Sequence, residues 1–116
     1  MERRIERGDI FLVNLEPISG SEQGRIRPGI VIQNNILNKL SPLIIIVPLT
    51  SKIYTKTFPT NVFISKEESR LKRDSTVLTN QIRAIDKSRI IKKLGHLDES
   101  IVKEVDLALK ISLDLD

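Results

Sequence analysis

The sequence predicts a small, mainly β domain, curled into a barrel and packed against one amphipathic helix at its C-terminal end. Three observations predict it. Five or more short runs of β-branched and aliphatic residues lie within the first hundred positions, separated by clusters of Gly, Pro, Asn and Ser. From Asp98 onward the apolar residues change to three- and four-residue spacing. At 116 residues and 40% hydrophobic content the chain supports one modest core in one domain, taken as residues 1–116. So many short strands in so short a chain bury enough surface only by curling on themselves.

Taken in order, "GDIFLVNL" (8–15) follows a glycine and reads as a first strand. "PISGSEQGRIRP" (17–28) holds two prolines and two glycines and reads as a long exposed loop. "GIVIQN" (29–34) is a second strand and "LIIIVPLT" (43–50) a third, whose unbroken apolarity predicts burial on both faces. Pro48 has no backbone N–H, so the third strand must reach an edge or a bulge there. "SKIYTKTFPT" (51–60) is a polar loop, "NVFIS" (61–65) a strand, and "KEESRLKRD" a charged helical turn. "STVLTNQIRAI" (75–85) reads as one strand, "DKSR" as a turn, and "IIKKLGHL" as the last strand. Asp98 then caps a helix whose buried stripe is Ile101, Val102, Val105, Leu109 and Leu113, with Lys103, Glu104, Asp106 and Lys110 opposite.

Composition removes several functions. With no cysteine, disulfides, thiolate zinc sites and a cysteine nucleophile are excluded. A single histidine, His96, rules out a two-histidine acid–base pair within one chain. The longest apolar run, "LIIIV" (43–47), is far short of the ~20 residues of a membrane helix. The start, "MERRIERGD", lacks the apolar middle of a signal peptide, so a cytoplasmic location is expected, with no membrane partner. The net charge of +4 suits a polyanionic partner without identifying one.

No phosphate-binding P-loop, dinucleotide fingerprint or nucleophile elbow is present, and no carboxylate cluster has magnesium-site spacing. What remains is the loop ending in Arg27-Pro28. Proline biases the preceding residue toward extended backbone, so Arg27 has fewer states than Arg25, and its guanidinium suits a phosphate or a carboxylate. A solvated loop arginine is the plainer reading. Thr50, at the end of the third strand, is either a β-former with a solvated hydroxyl or a donor. Asn34 and Asn35 read most simply as turn residues. Gln81 and Arg83 are two apart on the expected strand, hence on one face. His96, between leucines, reads as a hydrogen-bonded structural imidazole. Of the four rings, Phe11, Tyr54, Phe58 and Phe63, only Tyr54 and Phe58 lie in a polar loop where a base can stack.

Together, "RGDIFLVNLEPISGSEQGRIRPGIVIQNN", "PLT" at a strand end and "DSTVLTNQIRAIDKSRIIKKLGHLDE" resemble the MazF/PemK-type toxin endoribonucleases, from Arg7 to about Leu113. The resemblance implies an SH3-like β-barrel working as a homodimer, without cofactor or metal. It implies cleavage of single-stranded RNA, chiefly messenger RNA, and inhibition by a MazE-like antitoxin that lays an acidic segment along the RNA groove. The matching catalytic positions are Arg27 and Thr50. Ser21, Glu22, Gln23, Asn34, Asn80 and Gln81 are the matching candidates for reading bases, and Lys56 for contacting the backbone. Two further readings of the barrel stay open. One is a non-catalytic toxin that poisons DNA gyrase by contact; such toxins end in a tryptophan segment, whereas this chain ends "ISLDLD" and has no tryptophan. The other is an RNA-binding barrel without activity, against which the presence of both Arg27 and Thr50 counts.

Overall fold

The computed structural model describes residues 4–16, 20, 25–54, 56 and 58–116. Among them, seven strands form one antiparallel sheet: β1 (Asp9–Asn14), β2 (Ile26–Val31), β3 (Leu43–Thr50), β4 (Asn61–Ile64), β5 (Ser75–Leu78), β6 (Arg83–Asp86) and β7 (Ile90–His96). Three helices accompany them: α1 (Asn35–Leu40), α2 (Lys66–Ser69) and α3 (Glu99–Leu113). Across the sheet the order is β4-β5-β3-β2-β1-β7, with β6 also paired to β3. The sheet is barrel-like but not closed, β4 and β7 being its two ends.

The three central strands bury both faces, which accounts for their near-continuous apolarity. Ile10, Ile30, Val47 and Leu49 join Ile101, Val105 and Leu109 of α3 in one core cluster. Phe11, Val13, Val31, Ile44 and Ile46 form a second cluster on the other face with Ile85 and Ile90. Helix α3 buries Ile101, Val105 and Leu109 of the anticipated stripe, plus Ala108, while Val102 is partly buried and Leu113 is 52% exposed. Asp98 holds the N-cap position with extended backbone, yet its side chain makes no cap hydrogen bond.

Three elements differ from the sequence expectation. The second strand begins at Ile26, so Arg27 and Pro28 belong to a strand, paired with Val13 and Leu12, rather than to a loop. The segment 75–85 is two strands, separated by a turn at 79–82, and they take successive stretches of the same β3 edge: β6 pairs with Leu43–Ile46 and β5 with Leu49 and Thr50. Gln81 therefore sits in a turn, not on one strand face with Arg83. Finally, α1 was not expected. Its one buried residue is polar Asn38, which exchanges hydrogen bonds with Gln33, so no apolar stripe announces it.

The hydrogen-bond phase explains both prolines. Leu15 N–H donates to the Arg25 carbonyl and Ile32 N–H to the Ile45 carbonyl. Counting along the alternation of antiparallel pairs, odd residues of β2 face β1 and even ones face β3. Pro28 therefore aims its missing donor at β3, and the β2–β3 ladder stops one residue earlier, at Gly29/Pro48. Pro48 aims its own missing donor at the seam where β6 pairing has ended and β5 pairing has not begun. Neither proline breaks a bond the sheet needs, and the seam between β2 and β3 opens at Pro28.

Candidate functional site

Where that seam opens lies a groove of about 480 Å³. Pro28 of β2 and Leu49 of β3, the residues whose pairing is lost, both line it, with Leu71 and Leu94 supplying further apolar wall. Five cations surround this floor: Arg27, Arg70, Lys72, Arg73 and Lys92. Among the described residues no carboxylate lines it. Such an excess of one sign over low-dielectric walls concentrates the field on an anionic ligand. A second hollow, beside α1 and the 3₁₀ turn Lys87–Arg89, does not contain Arg27 and mixes charges of both signs; Thr50 is buried and lines neither of the two.

Arg27 is half-buried at the start of β2. Continuing the β2–β3 register two residues past Gly29/Pro48 sets Arg27 opposite Thr50, with both side chains on one face. Thr50 is 7% exposed, and its Oγ1 accepts the Lys52 backbone N–H at 3.2 Å. That bond occupies a lone pair and leaves the hydroxyl proton to be donated elsewhere. Its cross-strand neighbour Thr76 donates to the Lys52 carbonyl at 2.9 Å, so the chain beyond β3 is clamped from both sides.

The remaining candidates are dispersed. Ser21, Glu22 and Gln23 lie outside the described residues. Asn34 stands seven positions along the chain from Arg27, roughly 23 Å of extended backbone. It accepts the Leu37 N–H as the N-cap of α1, so it is a helix cap rather than a simple turn residue. Asn35 is likewise structural, accepting the Arg7 N–H at 2.7 Å. Lys56 is exposed in the β3–β4 loop. Asn80 is exposed and Gln81 half-buried in the β5–β6 turn, which Thr79 fastens to the Thr60 carbonyl and to Ser112 of α3. Asn34, Asn35, Lys56, Asn80 and Gln81 are not among the residues that line the groove. Tyr54 and Phe58 meet edge to face at 6.3 Å, with Lys52 4.9 Å above the Tyr54 ring. Phe63 is also 53% exposed, since it points away from the core on the end strand β4. His96 is structural as anticipated: Nδ1 lies 2.6 Å from Oδ1 of buried Asp9, which also accepts from Glu6 N–H and faces Lys93.

Sequence reasoning missed the cations of the α2–β5 turn and of β7. The signal was present in "SRLKR", where leucine sits among three basic residues, but only the fold brings that turn beside Arg27. It also missed the role of the segment after β5. Arg83 donates to the Leu15 carbonyl at 2.7 Å, and Arg89 donates to the carbonyls of Asn14 and Glu16. These guanidinium groups hold the end of β1, from which the loop toward Arg27 departs. Asp86 caps the 3₁₀ turn by accepting from Ser88, and those hydrogen bonds, backbone first, hold its carboxyl below the usual carboxylate pKa, with the nearby Arg89 adding to the effect.

The family described as PemK-like, MazF-like toxin of type II toxin–antitoxin systems matches residues 6–113. Among solved structures, MazF from Deinococcus radiodurans is 26% identical, with a TM-score of 0.83 over 98% of this chain and 100% of that one. A MazE–MazF structure from the same organism matches at 25% identity and a TM-score of 0.77, covering 99% of this chain and 100% of the other. An endoribonuclease from a Mycobacterial species has the same fold at 20% identity, with a TM-score of 0.80 over 97% and 94% of the two chains. Among the described residues no helix is long and apolar enough to cross a membrane.

Proposed function

This chain belongs to the PemK-like, MazF-like toxins of type II toxin–antitoxin systems, and we propose that it is a metal-independent endoribonuclease that cuts single-stranded messenger RNA and so halts translation. The observation that carries this reading is the groove at the β2–β3 seam, with Arg27 on its wall and four further cations beside it. In the reaction, the 2′-oxygen of the ribose attacks the adjacent phosphorus. The bond from that oxygen to phosphorus forms while the bond from phosphorus to the 5′-oxygen breaks. The products are a 2′,3′-cyclic phosphate and a 5′-hydroxyl.

The planar guanidinium fork of Arg27 suits it to bind the non-bridging oxygens as negative charge builds on them. Thr50 adds a neutral donor to the same oxygens, its hydroxyl oxygen already accepting the Lys52 N–H and its proton left to donate. Aligned donors of this kind in a sheltered cleft lower the barrier by ~3–4 kcal/mol each. A guanidinium is a poor base, so Arg27 acts by charge and as a donor toward the departing 5′-oxygen. The attacking hydroxyl loses its proton to a different acceptor. Ser21, Glu22, Gln23, Asn34, Asn80 and Gln81 are the residues proposed to read bases, with Lys56 on the backbone, because phosphate contacts position a strand without reading it. The active form is a homodimer, and the protein partner is a MazE-like antitoxin whose acidic segment competes for the basic groove.

Mapping the new ends of a long RNA after incubation with purified protein in EDTA tests this. The reading requires cuts at a recurring short sequence, and it requires the Arg27→Ala variant, equally folded, to lose activity by orders of magnitude. Intact RNA, or normal turnover by that variant, would overturn it.

A further inference from the structure

The four cations that join Arg27 in the groove are more than Arg27 and Thr50 need, and one of them occupies an unfavourable backbone conformation. Arg70 ends α2 in the left-handed region, φ 61° and ψ 18°, its N–H bonded to the Lys66 carbonyl. Glycine is the favoured residue at such a cap because a Cβ crowds the backbone there. An arginine held there commits a long cation to the groove at some expense to the turn. The nearest acid of that turn does not neutralise it. Asp74 accepts the Lys66 backbone N–H at 2.8 Å, and no described carboxylate forms an ion pair with Arg70, Lys72, Arg73 or Lys92.

We infer that the α2–β5 turn, through Arg70 and Lys72, together with Lys92 of β7, binds the RNA phosphates flanking the scissile one and so sets how much single strand the protein grips. The inference rests on the nucleolytic reading above. Arg27 is shared between the site and this wall, so a strand whose reacting phosphate lies at Arg27 carries its next phosphates along the same groove. The apolar floor of Leu49, Leu71 and Leu94 suits ribose and base faces between those charges. Cations such as Arg70, Lys72 and Lys92 beside a polyanion form a counterion-release device, and its signature is salt dependence.

The test measures dissociation constants against NaCl concentration for an RNA of about 12 nucleotides, 2′-O-methylated at the mapped cleavage position so that it binds without being cut. Each of Arg70→Gly, Lys72→Ala and Lys92→Ala should lower the slope of log K against log salt by about 0.7, with the loss of affinity vanishing as salt rises. Arg70→Gly should also raise Tm by a few degrees, because glycine suits the left-handed cap, so that binding and stability move in opposite directions. Arg70→Lys should retain the wild-type slope and Arg70→Gln should not. Lys110→Ala, beside Arg7 and Ile32 toward the other end of β2, should leave the slope unchanged. Wild-type slopes in all three groove variants, with RNA still cut normally, would overturn this inference alone. Wild-type slopes combined with weaker capture of an acidic peptide would overturn it too and assign the wall to a protein partner. Failure of the wild-type protein to bind or cut RNA would instead refute the function proposed above.

Discussion

At Thr50 the hydrogen-bond arrangement makes a specific demand. Its oxygen accepts from Lys52 while its proton is left to donate, so removing the hydroxyl has two separable effects. Thr50→Val keeps the β-branched shape that suits a strand but removes the acceptor of the Lys52 N–H, a loss of about 0.5–1.5 kcal/mol of stability because that bond is only partly buried. On cleavage the same change should reduce kcat by 10²–10³, as expected for one donor to a developing oxyanion. Thr50→Ser restores the hydroxyl and should recover most of the rate. Urea melts and single-turnover cleavage of the two variants, read side by side, separate the two effects. A Thr50→Val protein that cuts at the wild-type rate would remove Thr50 from the chemistry and leave it a clamp for the β3–β4 loop.

Among the elements, the base of the β1–β2 loop draws its support from far along the chain. Leu15 closes it through a hydrogen bond to the Arg25 carbonyl, and Arg25 itself takes a positive φ of 62°. Arg83, 68 residues away, grips the Leu15 carbonyl. Arg83→Met keeps the apolar stem and loses the charged donor. It should lower stability by about 1 kcal/mol, discounted from the usual value for a charged hydrogen bond because the contact is only partly buried. It should also raise KM, since the loop that carries Ser21 to Gln23 loses its anchor; an unchanged KM would show that the loop holds its position without Arg83. This dependence also shows what the sequence could and could not disclose. The strands β1, β3, β4 and β7 and the helix α3 were legible because each has an apolar pattern of one period. The short α1 was not, because its buried contact is the polar pair Asn38 and Gln33. The break in 75–85 was hidden because its middle stays β-prone while the strand changes partners along β3. Arg27-Pro28 stood out as a restrained arginine, but its place inside a strand followed from hydrogen-bond phase, which no local pattern encodes.

For the whole molecule, the two core clusters on opposite faces of β1–β3 make the seam between β2 and β3 a rigid rim rather than a mobile loop. Rigidity matters because donors that need no rearrangement at the moment of reaction are the ones that lower the barrier most. The charge that faces this rim comes from segments far apart in the chain, the α2–β5 turn and β7, so the groove exists only once the sheet has curled. The same curled sheet is what the chain shares with MazF from Deinococcus radiodurans over 98% of its length. The central claim is that this rim promotes attack by the ribose 2′-hydroxyl on its own phosphate. Its most direct measurement compares two otherwise identical RNA strands containing the mapped cleavage sequence, one with a single deoxyribose at the nucleotide whose 2′-oxygen should attack. The all-ribose strand should be cut to a cyclic phosphate end, and the substituted strand should stay whole at every enzyme concentration tried. Cleavage of both at equal rates would mean that water or another nucleophile attacks, and the account built on Arg27 and Thr50 would be contradicted.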